Sequence, residues 1–177
     1  MIETLISSKT RVKLLLKFFL NNKTTSYLRN LENEFGESTN AIRLELNKLE
    51  KAGMLSSKAK GNKKIFRANT KHPLYNEIHS IILKYVGLDR VIENVIKRLG
   101  DVERVYVVGK FARGLDSNII DLIFVGNIER GYLVELISKV EQIIKRKIRY
   151  LIYTVDEVNE IDWEGFDALP LLLWSKD

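Results

Sequence analysis

The sequence predicts an α+β protein of two domains, spanning residues 1–87 and residues 88–177. In the first domain, apolar residues recur at helical spacing and a short hairpin pattern follows, whereas the second alternates β-rich runs with helices. Residues 1–88 contain 16 Lys and Arg against 7 Asp and Glu, a net charge of +9. Residues 89–177 contain 13 against 16, a net charge of −3, so the overall +6 comes from the first half. This asymmetry is typical of a polyanion-binding module joined to a module with another task.

Composition excludes several classes of chemistry. The chain has no cysteine, which removes disulfides, zinc–thiolate sites and thiol catalysis. Two histidines, His72 and His79, leave little for a histidine-based metal site. The sequence shows no signal-peptide pattern and no apolar run near the roughly 20 residues of a membrane span, so a cytoplasmic protein is expected.

Three helices and a hairpin are expected in the first domain. The helices are predicted over residues 10–20, 26–35 and 39–52, with Gly36 and Ser38 suited to the ends of a tight turn between the last two. In the third helix, Ile42, Leu46 and Leu49 form one buried stripe. Strands over residues 54–59 and 64–68 are predicted to flank a turn at residues 60–63.

This order of elements, with the run from Ser38 to Leu55, resembles the winged helix-turn-helix regulators of the arsenic-repressor and MarR type. The resemblance implies that the third helix enters the major groove of double-stranded DNA. Its polar side would contact bases or nearby phosphates through Thr39, Asn40, Arg43 and Asn47. The hairpin would contact the DNA backbone through Lys58, Lys60, Lys63 and Lys64. Alternatively, the polar residues of the third helix form the solvated side of a surface helix. The hairpin lysines would then only protect an exposed edge strand from aggregation.

A connector is predicted over residues 73–86, as a helix with a wide apolar stripe. The stripe must pack against the first helix of the same chain or against a second copy, and a homodimer is expected. Gly87 interrupts the pattern, and Asp89 can cap a further helix. The apolar residues of the stripe are Leu74, Ile78, Ile81, Ile82 and Tyr85.

The second domain is predicted to follow the order strand, helix, strand, helix, strand. Strands are expected at residues 104–108, 119–125 and 148–154, with a helix over residues 131–146 and an edge strand within residues 169–174. The run Val107-Val108-Gly109-Lys110-Phe111-Ala112-Arg113-Gly114, followed by Asn118-Ile119-Ile120-Asp121, resembles the minimal nucleotidyltransferases of the DNA polymerase beta superfamily. There, a strand ends in Gly-Ser, a short helix ends in Ala-Arg-Gly, and the next strand carries Asp-x-Asp.

This sequence departs from that pattern at the residues that carry the chemistry. Nucleotidyl transfer uses divalent metals held by oxygen ligands, and residues two apart on a strand point the same way. Ile119 stands in place of the first acid and Lys110 in place of the serine, while Asp121 matches the second acid. No catalytic residue, metal site or cofactor is therefore predicted.

Two functions remain open at this stage. The first is a DNA-binding transcriptional regulator whose second domain is a pseudoenzyme that serves in ligand sensing or dimerisation. A nucleotide or phosphate would then bind near Gly109, Lys110, Arg113 and Asp121. The alternative is an active transferase that attaches a nucleotide to a protein or small acceptor with Mg²⁺. A protein-interaction scaffold is a third view, and predicts no salt-sensitive DNA binding.

Overall fold

The computed structural model describes residues 2–166 and 168–177, and divides the chain into two units. The first unit ends at Tyr85 and the second begins at Val86. Each unit contains one β-sheet together with helices, so the protein is a mixed α/β structure with two sheets. Within the described residues, no helix is long and apolar enough to cross a membrane.

The helices of the first unit begin and end where capping residues stand in the sequence. The Ser8 side chain accepts a hydrogen bond from the Arg11 amide at the start of the second helix, and Ser38 does the same for Ala41 at the start of the fourth. Gly36 ends the third helix in the left-handed region, at φ 63°. These helices are α1 (Ile2–Leu5), α2 (Lys9–Phe19), α3 (Leu28–Phe35) and α4 (Thr39–Lys51).

A three-stranded antiparallel sheet follows the helices. Its strands are β1 (Thr25–Ser26), β2 (Leu55–Lys60) and β3 (Lys63–Ala68), in the order β1-β3-β2. The predicted hairpin is confirmed, with Gly61 at the turn. The two-residue β1 was not predicted, because a strand that short carries no readable alternation. The helix α5 (Tyr75–Val86) matches the predicted connector and begins two residues after Pro73.

The first unit has an apolar core and several ion pairs around α2. Leu14, Phe18, Leu31 and Ile42 are fully buried. Around them, α2 is tied to α3, to α4 and to the turn between them by three carboxylates. The pairs are Lys17–Glu34 at 2.7 Å, Arg11–Glu45 at 2.8 Å and Lys13–Glu37 at 2.6 Å.

In the second unit, a mixed sheet has the strand order β6-β5-β4-β7. Strands β5 and β6 are parallel and the other neighbours are antiparallel. The strands are β4 (Val102–Val108), β5 (Ile119–Gly126), β6 (Lys147–Tyr153) and β7 (Leu171–Ser175). All four expected strands are therefore confirmed, and the expected edge strand pairs with β4.

Helical segments surround this sheet. A stretch with a π-helical turn over Ile92–Ile96 opens the unit, flanked by α6 (Leu88–Val91) and α7 (Lys97–Leu99). The four-residue α8 (Gly109–Ala112) follows β4, and α9 (Arg130–Ile144) connects the two parallel strands. After β6 come α10 (Val155–Asn159) and a 3₁₀ turn over Trp163–Gly165.

The last two segments partly cover one face of the sheet. Val108, Ile123 and Val125 are buried on that face together with Val158 of α10. The Trp163 ring lies 5.2 Å from the Tyr106 ring and 5.6 Å from the Phe166 ring, measured between centroids. This aromatic packing holds the chain after β6 against the sheet beside Asp121.

Candidate functional site

A cleft of about 570 Å³ lies between α3, α4 and the β2–β3 hairpin in the first unit. We call it the basic cleft. Leu28, Leu46 and Phe66 contribute apolar walls, and four cationic side chains also line it. Those four residues are Arg29, Arg43, Lys63 and Lys64. A cleft of this kind can hold an anionic polymer whose backbone follows the cations.

The helix α4 presents one polar side to the basic cleft and to solvent. Its apolar stripe of Ile42, Leu46 and Leu49 is buried, as predicted, and Leu46 at the edge of that stripe also lines the cleft. The structure brings Thr39, Arg43 and Asn47 together in the lining of the cleft. Asn40 is exposed but does not line the cleft.

The four hairpin lysines have different surroundings. The Lys63 ammonium lies 4.3 Å from the centroid of the Tyr27 ring, so a cation–π contact holds it beside the cleft. The Lys64 ammonium lies 2.6 Å from the Glu50 carboxylate. Lys58 and Lys60 are exposed and outside the cleft lining.

Carboxylates of the first unit are held by neighbouring cations. The hydrogen bond from Lys64, followed by that from Ser57, lowers the pKa of Glu50 below its usual 4.5. For Glu45, burial alone would raise the pKa, but the hydrogen bonds and charge of Arg11 outweigh burial and lower it. Both groups are therefore ionised at neutral pH, and Glu50 neutralises part of the positive charge at the hairpin.

Besides the apolar walls, four lining residues were not predicted: Tyr27, Arg29, the acid Glu32 and Asn62. Tyr27 immediately precedes α3 and Arg29 lies in its first turn, on the helix before the expected reading helix. An aromatic residue and an arginine at that point are the sequence signal that could have identified them. Asn62 follows Gly61 in the hairpin turn, where turn chemistry alone explains it.

A second cleft, of about 550 Å³, lies on the sheet of the second unit. We call it the sheet cleft. Asp121 of β5 stands opposite Val108 of β4 on one side and Arg149 of β6 on the other. The rest of the lining is mainly apolar and includes Ile123, Leu151 and Phe166.

An ion pair occupies the polar end of the sheet cleft. The Arg149 Nε donates to the Asp121 carboxylate at 2.6 Å, and this hydrogen bond raises the pKa of Arg149. Asp121 is about one-fifth exposed and Arg149 about two-thirds exposed. The sequence did not predict this pairing, because the pairing depends on the register of β5 against β6.

Gly109 contacts the same carboxylate. Its φ is 65°, and a Cβ placed there would lie 2.7 Å from the Asp121 Oδ2. A side chain at this position would therefore need both a strained backbone and a displaced Asp121. Glycine at position 109 therefore allows the backbone at the end of β4 to lie close to the Asp121 carboxylate.

Lys110 and Arg113 do not line the sheet cleft, although both were candidates for phosphate contact. Lys110 is exposed and Arg113 is half-buried. Lys110 belongs to α8 and Arg113 follows it. Because α8 has four residues, its dipole is small. Of the four predicted residues, only Gly109 and Asp121 meet in the cleft.

The residues of the sheet cleft do not fit a pair of divalent metals. Asp121 is the acid in the described lining, and a guanidinium already lies against it. Asp116 lies in the loop before β5 and pairs with Arg146 at 2.9 Å. Among the described residues, no three histidine or acidic side chains are grouped as a metal site would need.

Comparison with known proteins adds a likeness among solved structures. No protein-family model and no curated protein matches the chain. A crystal structure described as that of "a putative nucleotidyltransferase from Sulfolobus solfataricus" is similar to 56% of this chain and 86% of its own, with 24% sequence identity and a TM-score of 0.36.

Proposed function

We propose that the protein is a transcriptional regulator that binds double-stranded DNA through its first unit, folded as a winged helix. The basic cleft is the observation that carries this proposal. It combines the polar side of a helix, a cationic hairpin and Arg29 within one concave surface. Bases are distinguishable in the major groove, which admits a helix such as α4.

The side chains of the cleft suit different parts of a duplex. Arg43 and Asn47 are exposed on α4. Arg43 has two donors that match the guanine acceptors, and Asn47 has the donor and acceptor that match adenine. Lys63 is a point charge held beside Tyr27, so it suits a phosphate rather than a base. Arg29 lies on α3 and lines the same cleft, where it would contact the phosphate backbone.

For the second unit, we propose a nucleotidyltransferase-like fold that has lost catalysis. The ion pair between Asp121 and Arg149 supports this assignment, because the guanidinium lies where a divalent cation would need Asp121. Ile119, two residues before Asp121 on β5, offers no oxygen ligand. The sheet cleft would then serve in ligand sensing, with its apolar wall and charged end as the recognition elements.

Salt-dependent DNA binding by the full chain tests the proposal. Fluorescence anisotropy on a labelled duplex, selected from a random library by the protein itself, should give an affinity that falls steeply with salt. Arg43→Ala should cost about 1–3 kcal/mol on the selected site and relax the choice of base there. Lys63→Ala should weaken binding to all duplexes and reduce the salt slope by about one.

Lys97→Ala is the matched control, since Lys97 is an exposed lysine of the second unit. This variant should bind as the wild type does. An unchanged salt slope in Lys63→Ala would remove the hairpin from the interface. Binding that is absent at low salt would instead favour the protein-interaction scaffold.

A further inference from the structure

Tyr27 stands at the start of α3, at a position that capping residues usually occupy. The helices α2 and α4 begin after Ser8 and Ser38, whose hydroxyls accept hydrogen bonds from the first turn. The Tyr27 side chain makes no such bond, although its backbone is extended like that of a cap, at φ −128° and ψ 163°. Tyrosine is not one of the residues that cap helices, so capping does not explain its presence at this position.

The backbone of Tyr27 is fixed on both sides. The residue before it, Ser26, pairs with Phe66 between β1 and β3. After it, the Tyr27 carbonyl oxygen accepts hydrogen bonds from the amides of Asn30 and Leu31, at 3.0 Å and 3.1 Å. The side chain is half-buried and lines the basic cleft, so the ring extends from an ordered backbone to the site of the proposed DNA contacts.

One ammonium group of the hairpin lies over the Tyr27 ring. The Lys63 Nζ is 4.3 Å from the ring centroid, within the roughly 6 Å over which a cation is attracted to an aromatic face. Lys63 makes no ion pair with another described residue, whereas Lys64 is paired with Glu50. The charge of Lys63 is therefore both oriented and available to an anion in the cleft.

The outer lysines of the hairpin lack this orientation. Lys58 and Lys60 are exposed, do not line the cleft, and make no ring contact or ion pair with a described residue. A lysine has a flexible four-carbon stem, and holding its side chain in one place costs conformational entropy. Binding is weakened by that cost when the side chain is disordered beforehand, and less so when a contact within the protein already orders it.

We propose that Tyr27 is a positioning residue for DNA binding, which holds the Lys63 ammonium at the basic cleft before a DNA phosphate binds. The inference rests on the proposed function of the first unit. An aromatic face attracts an ammonium without adding a net negative charge, so Lys63 keeps its full charge for the phosphate. Glu50 acts differently on Lys64, because its carboxylate both holds that lysine and neutralises it.

A direct contact between the Tyr27 hydroxyl and a DNA phosphate is the rival explanation, since tyrosine hydroxyls donate to phosphates in protein–DNA complexes. The two explanations require different parts of the side chain. Positioning of Lys63 requires the ring, whereas a phosphate contact requires the hydroxyl. Tyr27→Phe removes the hydroxyl and keeps the ring, and Tyr27→Leu removes both while keeping an apolar side chain.

DNA affinities of the two variants separate these explanations. By fluorescence anisotropy on the selected duplex, Tyr27→Leu should bind about threefold to tenfold more weakly than the wild type, because Lys63 then has to be ordered during binding. Its salt slope should match that of the wild type, since Lys63 still reaches the phosphate, whereas Lys63→Ala lowers the slope by about one. Tyr27→Phe should bind as the wild type does. A Tyr27→Phe variant as weak as Tyr27→Leu overturns the proposal and assigns the contact to the hydroxyl.

A double variant tests whether Tyr27 acts through Lys63. Tyr27→Leu combined with Lys63→Ala should bind no more weakly than Lys63→Ala alone, because the ring then has no ammonium to hold. Full additivity of the two losses overturns the proposal. Tyr132→Leu is the control, since Tyr132 is an exposed tyrosine of α9 in the second unit, and it should bind as the wild type does. Thermal melting by circular dichroism checks that each variant is folded.

The position of the ammonium is also measurable without DNA, so the inference can fail separately from the proposed function. Protons above an aromatic face are shielded, so the NMR signal of the Lys63 ε-methylene should lie upfield of those of Lys58 and Lys60. Its loss in Lys63→Ala assigns the signal, and the upfield shift should persist in Tyr27→Phe and disappear in Tyr27→Leu. A Lys63 signal without an upfield shift overturns the positioning. A wild type that shows the shift but binds no duplex overturns the proposed function, and with it the role of Tyr27 in DNA binding.

Discussion

The two units each contain a cleft with cationic side chains, and they differ in whether those cations are already neutralised. In the basic cleft, Arg43 and Lys63 make no ion pair with another described residue. In the sheet cleft, Arg149 is paired with Asp121 at 2.6 Å. The unpaired cations of the basic cleft can bind an external anion, whereas the charge of Arg149 is neutralised by Asp121 within the protein. The two clefts therefore differ both in the number of cations that line them and in whether those cations are paired.

The acids of the first unit explain why its positive charge lies on one side. Glu34, Glu37 and Glu45 pair with cations of α2, away from the basic cleft. Of the net charge of +9, the hairpin over residues 55–68 carries +5, because it has five Lys and Arg and no Asp or Glu. Such one-sided charge steers a polyanion to a single surface.

Breaking one of these α2 pairs should produce the largest effect on stability. Glu45 is buried, and Arg11 donates to it at 2.8 Å and 3.3 Å. Arg11→Ala removes both hydrogen bonds from a buried carboxylate, and we expect a loss of about 2 kcal/mol in the free energy of unfolding at pH 7. Chemical denaturation monitored by circular dichroism measures the loss. Lys139→Ala, which breaks the exposed pair with Glu135, should leave stability unchanged.

The same variant carries a pH signature. The pKa of Glu45 is lowered in the folded protein, so its contribution is fully present above pH 4.5 and is lost as pH falls through the folded pKa. The difference between wild type and Arg11→Ala should therefore shrink progressively over the acid interval below pH 4.5. A difference that stays constant over that interval would mean that Arg11 acts through packing and not through the charge of Glu45.

Replacement of Arg149 by an acid should convert the sheet cleft into a site for a divalent cation. Arg149→Asp would place a second carboxylate beside Asp121, on the neighbouring strand in the same register. Two adjacent carboxylates favour a divalent ion, so we expect Mn²⁺ affinity at least tenfold above that of the wild type. Isothermal titration calorimetry measures it.

Arg149→Ala is the control for this comparison, because it removes the guanidinium without adding an oxygen ligand. It should gain little affinity. The wild type incubated with Mn²⁺ and labelled nucleoside triphosphates should transfer no nucleotide. Nucleotide transfer that is abolished in Asp121→Ala would instead support the active transferase. Tight Mn²⁺ binding by the wild type would show that Arg149 does not neutralise Asp121.

Local sequence patterns predicted most of the fold. Ser8, Gly36 and Ser38 mark helix ends through their own backbone chemistry, and the structure places caps at these residues. The predicted strands of the second unit agree with β4, β5, β6 and β7 to within a few residues at each end. These features depend on neighbours a few residues apart, so one sequence is enough to find them.

Features that depend on distant residues escaped the sequence. The pairing of Asp121 with Arg149 requires the register of two parallel strands 28 positions apart. Lys63 and Lys64 differ in their contacts because Lys63 lies over the Tyr27 ring and Lys64 pairs with Glu50, and both partners lie outside the hairpin. Lys110 was expected to add positive charge at the start of the helix beside Gly109, yet it does not line the cleft that Gly109 lines. Adjacency in sequence did not give the direction of its side chain.

Glu50 offers the smallest and sharpest change to the comparison, because it pairs with Lys64, a lysine that lines the basic cleft. Its carboxylate holds Lys64 at 2.6 Å, so Glu50→Gln should release that ammonium to DNA. We expect affinity to rise about twofold to threefold at moderate salt, and the salt slope to steepen by about one. Correspondingly, Lys64→Ala should weaken DNA binding less than Lys63→Ala, since Lys64 is already partly neutralised.

Glu135→Gln makes the same charge change in the second unit and should leave DNA affinity unaltered. The contrast between these two variants separates a local effect from one of net charge. Equal gains from both variants would show that total charge governs binding. The pairing of Lys64 with Glu50 would then have no separate effect on DNA affinity. A gain confined to Glu50→Gln means that one carboxylate regulates how much of the hairpin charge reaches the duplex.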